Sequence, residues 1–328
     1  MTPGSNTPDS AALRRIYARM SLIKLNDQTM RQAIRAGKLQ IIYYSPRGQE
    51  VIPSAIADHL NPDDYLITIY RGIHDQIAKG VPLKQLWAEY AGKVTGTCKG
   101  KGGPMHITHP ETGVMVTTGI VGSGMPIALG MGLASQMDGS KRVTITNFGD
   151  GASNIGAFHE SLNMASVWKL PIIFVCQNNL YAEHTSYRLG TAVENIADRA
   201  ASYTMPGVTV NGNDPVEMWR AADEAIARAR RGEGPTLLEC RTFRFEGHLV
   251  GDDSHYIPKE EMAAAIAADP VPAFRQRLID DYGISSAELD GIDADNKTQV
   301  DEALQYALDS DYPELLENTR DIFAEEAA

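Results

Sequence analysis

RVTITNFGDGASNIGAFHESLNMASVWKLPIIFVCQNNLY, residues 142–181, holds the periods that decide the fold. RVTITNF alternates as a strand does. Ile155, Phe158, Leu162 and Ala165 then step by three, four and three, one face of a helix. PIIFVC is a short continuous apolar run, the pattern of a strand buried on both faces. Strand, helix and strand make one βαβ unit, whose crossover is right-handed by rule.

Outward from that unit the pattern repeats. GVTV (207–210) and TLLECRTF (236–243) flank an Ala/Arg-rich helix at 215–231, which gives a second unit. Residues 11–38 carry Leu13, Ile16, Met20, Ile23 and Leu25 at helical spacing and end at Gly37; Gln49–Leu60 reads as another helix. Residues 93–124 are glycine-rich and poor in helix formers, and a long structureless stretch inside a compact chain is usually functional. IALGMGLASQM, within 126–138, has the small residues of a closely packed helix, and the pattern is helical from 256 onward. The predicted fold class is α/β, a parallel sheet with helices on both faces. Residues 1–10 are expected as a disordered tail, 11–328 as a single domain, and 256–328 as a helical extension of it.

The composition excludes several classes. No window approaches the roughly 18 uninterrupted apolar residues of a membrane helix, and the polar start MTPGSNTPDS lacks the parts of a signal peptide. A net charge of −12 repels phosphate backbones, so no nucleic acid is expected as partner. Much of that charge follows residue 280 and reads as a solvated helical face. Cys98, Cys176 and Cys240 are too scattered for a metal cage and suit a reducing compartment.

Ligands of an open parallel sheet collect at the carboxyl ends of its strands. Asp150 follows one strand and Asn178-Asn179 the next, so all three are predicted to face one crevice. Gly149 and Gly151 let backbone N–H groups approach a ligand, and the helix expected near Asn154 turns its positive end toward them. A carboxylate oxygen, an amide oxygen and diphosphate oxygens form the hard oxygen set that Mg²⁺ takes, with a carbonyl from Leu180 or Tyr181 to complete it. Asp and Asn ahead of helices are commonly just caps and turn formers. GDG alone reads that way; GDG and NN on consecutive strands read as ligands.

The run from Gly149 to Tyr181 resembles the thiamine-diphosphate motif, which opens GDG and closes NN. More narrowly, the chain is similar to the α subunit of the heterotetrameric E1 component of 2-oxo acid and acetoin dehydrogenases. LITIYRGIHDQIAKG (66–80), GKGGPMHI (100–107), GIVGSGMPIALG (119–130) and FRFEGH (243–248) fall in that family's order, over roughly residues 12–325. The resemblance implies thiamine diphosphate and Mg²⁺ as cofactors. Asp150 and Asn179 would ligate the metal by side chains and Tyr181 by its carbonyl. Gly151 and Ala152 would donate N–H groups to the diphosphate beside Gly149, and Arg71 and Arg244 would neutralise it. Tyr70 would line the cofactor wall, while backbone groups of Gly119 and Val121 would read the aminopyrimidine. His248 is the implied catalytic residue, close to the thiazolium and suited to proton handling. Without the family match it would read as a solvated loop histidine, and Arg71 and Arg244 as members of weak surface ion pairs. His106 and His109 are taken as structural and Met105 as packing.

The family decarboxylates a small oxo acid or cleaves acetoin and passes the acyl group to the lipoyl arm of an E2 acyltransferase. The glutamate that activates the pyrimidine belongs there to a β subunit, so the expected assembly is an α2β2 heterotetramer in the cytoplasm of a bacterium. Four positions depart from the pattern. Tyr44, counted with the catalytic set, stands where most relatives carry a histidine. Ile155 replaces a glutamine, Glu183 stands where pyruvate-specific relatives often have methionine, and Leu249 replaces the regulatory serine of mitochondrial enzymes. The four point toward an acetoin-like or divergent enzyme. Two alternatives remain open: a split transketolase-like subunit, which predicts a GDGE-type continuation where this chain has GDGAS, and a non-catalytic cofactor-binding paralogue.

Overall fold

In the computed structural model, described over residues 7–323, six parallel strands form the sheet. Helix α1 (Ser10–Arg35) begins where Asp9 accepts the Ala12 N–H at 2.7 Å, and Pro8 is already buried. The expected tail thus gives way to ordered chain before residue 10, and its first six residues lie outside the described range. Then come α2 (Val51–Ile56), β1 (Tyr65–Ile69), α3 (Ile73–Lys79), α4 (Leu83–Tyr90), β2 (Val114–Thr118) and α5 (Gly124–Met137). The unit quoted above becomes β3 (Thr144–Gly149), α6 (Gly156–Trp168) and β4 (Ile172–Asn178). A small hairpin, β5 (Tyr181–Ala182) and β6 (Thr185–Ser186), precedes α7 (Tyr187–Gly190). The second unit is β7 (Gly207–Asn211), α8 (Pro215–Arg230) and β8 (Thr236–Arg241). Helices α9 (Lys259–Ala267), α10 (Pro270–Asp280) and α11 (Ser286–Asp309) complete it.

The strand order is β2-β1-β3-β4-β8-β7. Chain order runs one way from β1 to β2 and the other way from β3 onward, so the sheet switches direction between β1 and β3. That is where a parallel sheet opens a crevice at its carboxyl edge. The expected alternation of β3 is absent: Thr144 to Phe148 are all buried, because helices cover both faces. The stretch 93–124 is not structureless either, since Val114–Thr118 pairs with β1 as an edge strand. The Asp150–Asn154 turn is a 3-10 helix, and α6 starts at Gly156 rather than near Asn154.

On one face α5 and α6 pack Met125, Ala128, Phe158 and Leu162 against Phe148 and Phe174. On the other, α1, α2 and α8 share a core with Phe274, Leu278, Leu289 and Val300 of α10 and α11. Helices α10 and α11 therefore contribute to the larger core, while α9 buries no residue. Each such Phe, Leu or Ile stabilises the fold by about 1.5–3 kcal/mol through burial. Among the described residues no helix is long and apolar enough to cross a membrane.

Candidate active site

The carboxyl ends of β1, β3, β4 and β8 surround a cavity of about 270 Å³. β1 delivers Tyr70 and Arg71 to it, β3 delivers Gly149 through Ala152, β4 leads to Asn179 and Tyr181, and β8 leads to Arg244. Val121 enters from the loop before α5. Ten of the expected residues are thus brought to one wall. Three stand outside the lining. Tyr44 and His248 pack edgewise on Tyr70, with ring centroids 4.6 and 5.9 Å away, and Gly119, two residues before Val121, lies against Met105. Ile69, Gly122 and Ala182 line the cavity without having been singled out. Nothing in an apolar or alanine side chain signals a ligand; only the neighbouring motif does.

Asp150 and Asn179 meet because β3 and β4 run in register, Gly149 opposite Gln177. Asp150 is 2% exposed. Burial pushes its carboxyl up to about 6, against the pull of nearby backbone N–H groups, Asn179's among them, and of Arg244. The Asn179 side chain donates to Gln49 Oε1 at 3.0 Å, and its Oδ1 accepts the Tyr181 N–H at 3.2 Å. Leu180 takes a left-handed φ of +71°, a conformation costing a non-glycine residue about 1–2 kcal/mol. This bend carries Tyr181 back to the cavity. Gln49 Nε2, beside them, is buried without a partner among the described residues.

The two arginines decide the chemistry. Arg71 is buried and donates to the carbonyls of Ser45 and His248, both at 2.9 Å, with a longer contact of 3.4 Å to His248 Nδ1. Arg244 is buried and donates to the carbonyls of Glu246, Tyr181 and Glu183 and, from Nη2, to the Tyr256 hydroxyl oxygen at 2.6 Å. Among the described residues neither pairs with a carboxylate, so the surface ion pairs that would have been the bland explanation are absent. Burial, reinforced by Arg244, lowers Arg71 to about 10. Buried cations without counterions are costly, and here both border one cavity whose backbone is bare. A Cβ on Gly149 would meet nothing within 4 Å, while one on Gly151 would lie 2.6 Å from Ala182 Cβ. The first position leaves room for a ligand, and the second lets the main chain close behind it.

These features fit a diphosphate with a divalent cation. Among the described residues no three His, Cys, Asp or Glu gather as a metal cage. A metal here would draw on Asp150, an amide, a carbonyl and oxygens of the ligand itself, a donor set that suits Mg²⁺. His109 binds Thr112 and Gln85 through its two ring nitrogens at 3.0 and 3.1 Å, which keeps it structural as expected. Ile155 is partly buried behind Gly122, a packing position.

Burial, then the Arg71 charge, pushes His248 down to about 4, so its imidazole is neutral near pH 7. Its loop is tied down more firmly than its Gly and Asp content suggests. Asp252 accepts the His248 N–H at 2.5 Å, the Tyr256 hydroxyl at 2.7 Å and the Ser254 N–H at 2.9 Å, and Val250 N–H bonds to Tyr43 O at 2.9 Å.

A family model described as dehydrogenase E1 component matches residues 17–315. The chain is 38% identical over 309 residues to the alpha subunit of acetoin:2,6-dichlorophenolindophenol oxidoreductase of Bacillus subtilis, covering 94% of this chain and 92% of that one. The like-named subunit of Cupriavidus necator is 40% identical over 300 residues, 91% and 90% of the two chains. The 2-oxoisovalerate dehydrogenase alpha subunit of Bacillus subtilis is 37% identical over 292 residues, 88% and 86% of the two. With that match spanning the sheet, the cavity and the C-terminal helices, the chain belongs to the dehydrogenase E1 component family, as an oxidoreductase subunit of the alpha type.

Proposed function

We propose that this chain is the α subunit of a thiamine-diphosphate- and Mg²⁺-dependent E1 enzyme. It cleaves the carbon–carbon bond next to a carbonyl, in a 2-oxo acid or in acetoin or a diketone, and the acyl group passes to a lipoyl arm on E2. One observation carries the reading: Arg71 and Arg244 lie buried, without carboxylate partners among the described residues, beside Asp150 and a bare backbone turn at one cavity. The acetoin and 2-oxoisovalerate enzymes among its relatives support the substrate range.

Bound thiamine diphosphate supplies a carbon nucleophile and an electron sink for that cleavage. The side chains of Asp150 and Asn179 and the carbonyl of Tyr181 hold Mg²⁺. Arg71 and Arg244 neutralise phosphate oxygens with a planar, permanently charged group, and Gly151 and Ala152 give N–H groups to the same end. Tyr70 walls the cofactor, and the backbone of Gly119 and Val121 faces its ring. Once a diphosphate compensates Arg71, His248 rises from about 4 toward the range in which it exchanges protons. Tyr44, in edge contact with both Tyr70 and His248, shapes the substrate's side.

The carboxylate that activates the pyrimidine comes from a β subunit, so the working unit is an α2β2 heterotetramer, in the cytoplasm. The test is reconstitution of this chain with its β partner, Mg²⁺ and thiamine diphosphate, assayed by dye reduction on oxo acids, acetoin and diketones. Turnover needs both chains. Full turnover by this chain alone overturns the shared site, and no turnover on any substrate makes the chain a non-catalytic cofactor-binding paralogue.

A further inference from the structure

Glu89, in the last turn of α4, is completely buried and makes no ion pair among the described residues. Its carboxylate is instead surrounded by main chain. Oε2 accepts the N–H groups of Cys98 and Gly100 at 2.7 and 2.9 Å, and Oε1 those of Gly102 and Gly103 at 2.8 and 3.0 Å. Four charge-assisted bonds stand where a cation would otherwise be needed. The amides converge because Lys99, Gly100 and Gly103 take left-handed φ values of +56°, +77° and +55°. A Cβ on Gly96 would lie 2.4 Å from Oε2, so the loop can close on the carboxylate only as bare backbone.

The clamp leads to the cavity. Directly after it the Gly103–Met105 turn presents Met105, whose sulfur lies 3.1 Å from where a Cβ on Gly119 would stand. Two residues further, Val121 lines the cavity. We propose that Glu89 is a positioning residue: through the 97–105 loop and Met105 it sets the Gly119–Val121 wall against the ring end of the bound cofactor. This rests on the cavity being a thiamine-diphosphate site.

Inorganic pyrophosphate with Mg²⁺ engages the arginines and Asp150 but never reaches the ring wall, which separates the two ends of the site. In Glu89→Gln an NH₂ group faces two of the four donors, so at least two bonds are lost. In the chain assembled with its partner subunit, that variant binds thiamine diphosphate about tenfold or more weakly, while pyrophosphate affinity changes less than about twofold. Met105→Ala leaves the clamp whole and gives the same split, without depending on how Glu89 variants fold. Parallel weakening of both ligands, or unchanged thiamine diphosphate affinity, overturns the role of Glu89 alone. A native complex that binds pyrophosphate but not thiamine diphosphate overturns the reading of the cavity, and this proposal with it.

Discussion

Replacing Asp150 by asparagine separates the folding of this chain from its ligand binding. The carboxyl is 2% exposed, and burial lifts it from 3.8 to about 6. Two pKa units are worth about 3 kcal/mol of preference for the neutral form. Unfolded, the carboxyl ionises at its ordinary value, so between about pH 4 and about pH 6 the folded chain holds the extra proton. Stability therefore falls as pH rises through that window, and the whole penalty stands above it. Asparagine cannot ionise. It keeps one acceptor oxygen and forfeits a backbone N–H bond, at about 1 kcal/mol. The ligand-free Asp150→Asn chain is thus expected to be about 2 kcal/mol more stable than the native one near neutrality and to lose that advantage in acid. Urea unfolding in EDTA at several pH values measures this directly. Adding Mg²⁺ and thiamine diphosphate at about a hundred times their dissociation constant stabilises the native chain by about 2.7 kcal/mol and the variant not at all, so the order reverses. A variant that is less stable in EDTA at neutral pH would refute the reasoning. So would a difference that stays flat with pH, or an equal gain from the ligands.

Three further perturbations address the same wall. Gly149→Ala should leave ligand-free stability within about 0.5 kcal/mol, because its Cβ meets open space, and yet weaken pyrophosphate binding; Gly151→Ala, pressed on Ala182 Cβ, should lower both, and calorimetry with thermal melts tells the two apart. The His248 imidazole, held down to about 4, leaves stability intact above its ordinary value near 6.5 and withdraws it as pH falls toward 4. Its NMR titration should move upward when pyrophosphate saturates the site, and an unmoved midpoint would mean Arg71 does not face the anion. Phe158→Ala, taken from a fully buried ring edge-on to Phe148, should cost about 3–5 kcal/mol without changing ligand affinity per folded molecule.

What the sequence made legible were the parts whose chemistry sits in side chains at short range. The β3–α6–β4 unit reads from its own periods, and Asp150, Asn179 and the two arginines announce themselves by type within recognisable motifs. β1 and β2 do not. VMVTT has no period to set it apart from the glycine-rich run around it, and it becomes a strand only by pairing with Tyr65–Ile69, far off in the chain. β3 read as alternating because its threonines look polar, yet Thr144 and Thr146 lie buried between two layers of helix. The Glu89 clamp was invisible for a related reason: all four of its partners are backbone N–H groups, which every residue but proline carries.

Three titratable groups at the cavity or packed beside it also share a direction that no single residue reveals. Burial lowers Arg71 to about 10, raises Asp150 to about 6 and lowers His248 to about 4; each shift favours the uncharged form. Leu180, just before the small hairpin, and Glu183, in the turn between its two strands, hold φ values of +71° and +53° that non-glycine residues avoid. Local choices normally agree with the fold, and their failure at one place marks a site where stability is given up for function. The failures here are complementary. An anion offsets the buried arginines, a divalent cation offsets the buried carboxylate, and neither alone answers both. A ligand that brings both charges together, as a magnesium diphosphate does, stabilises the site by more than its halves added separately. Pyrophosphate and Mg²⁺ titrated singly and then together should therefore show each tightening the other by the same factor, and independent binding would mean that the arginines and Asp150 serve different ligands.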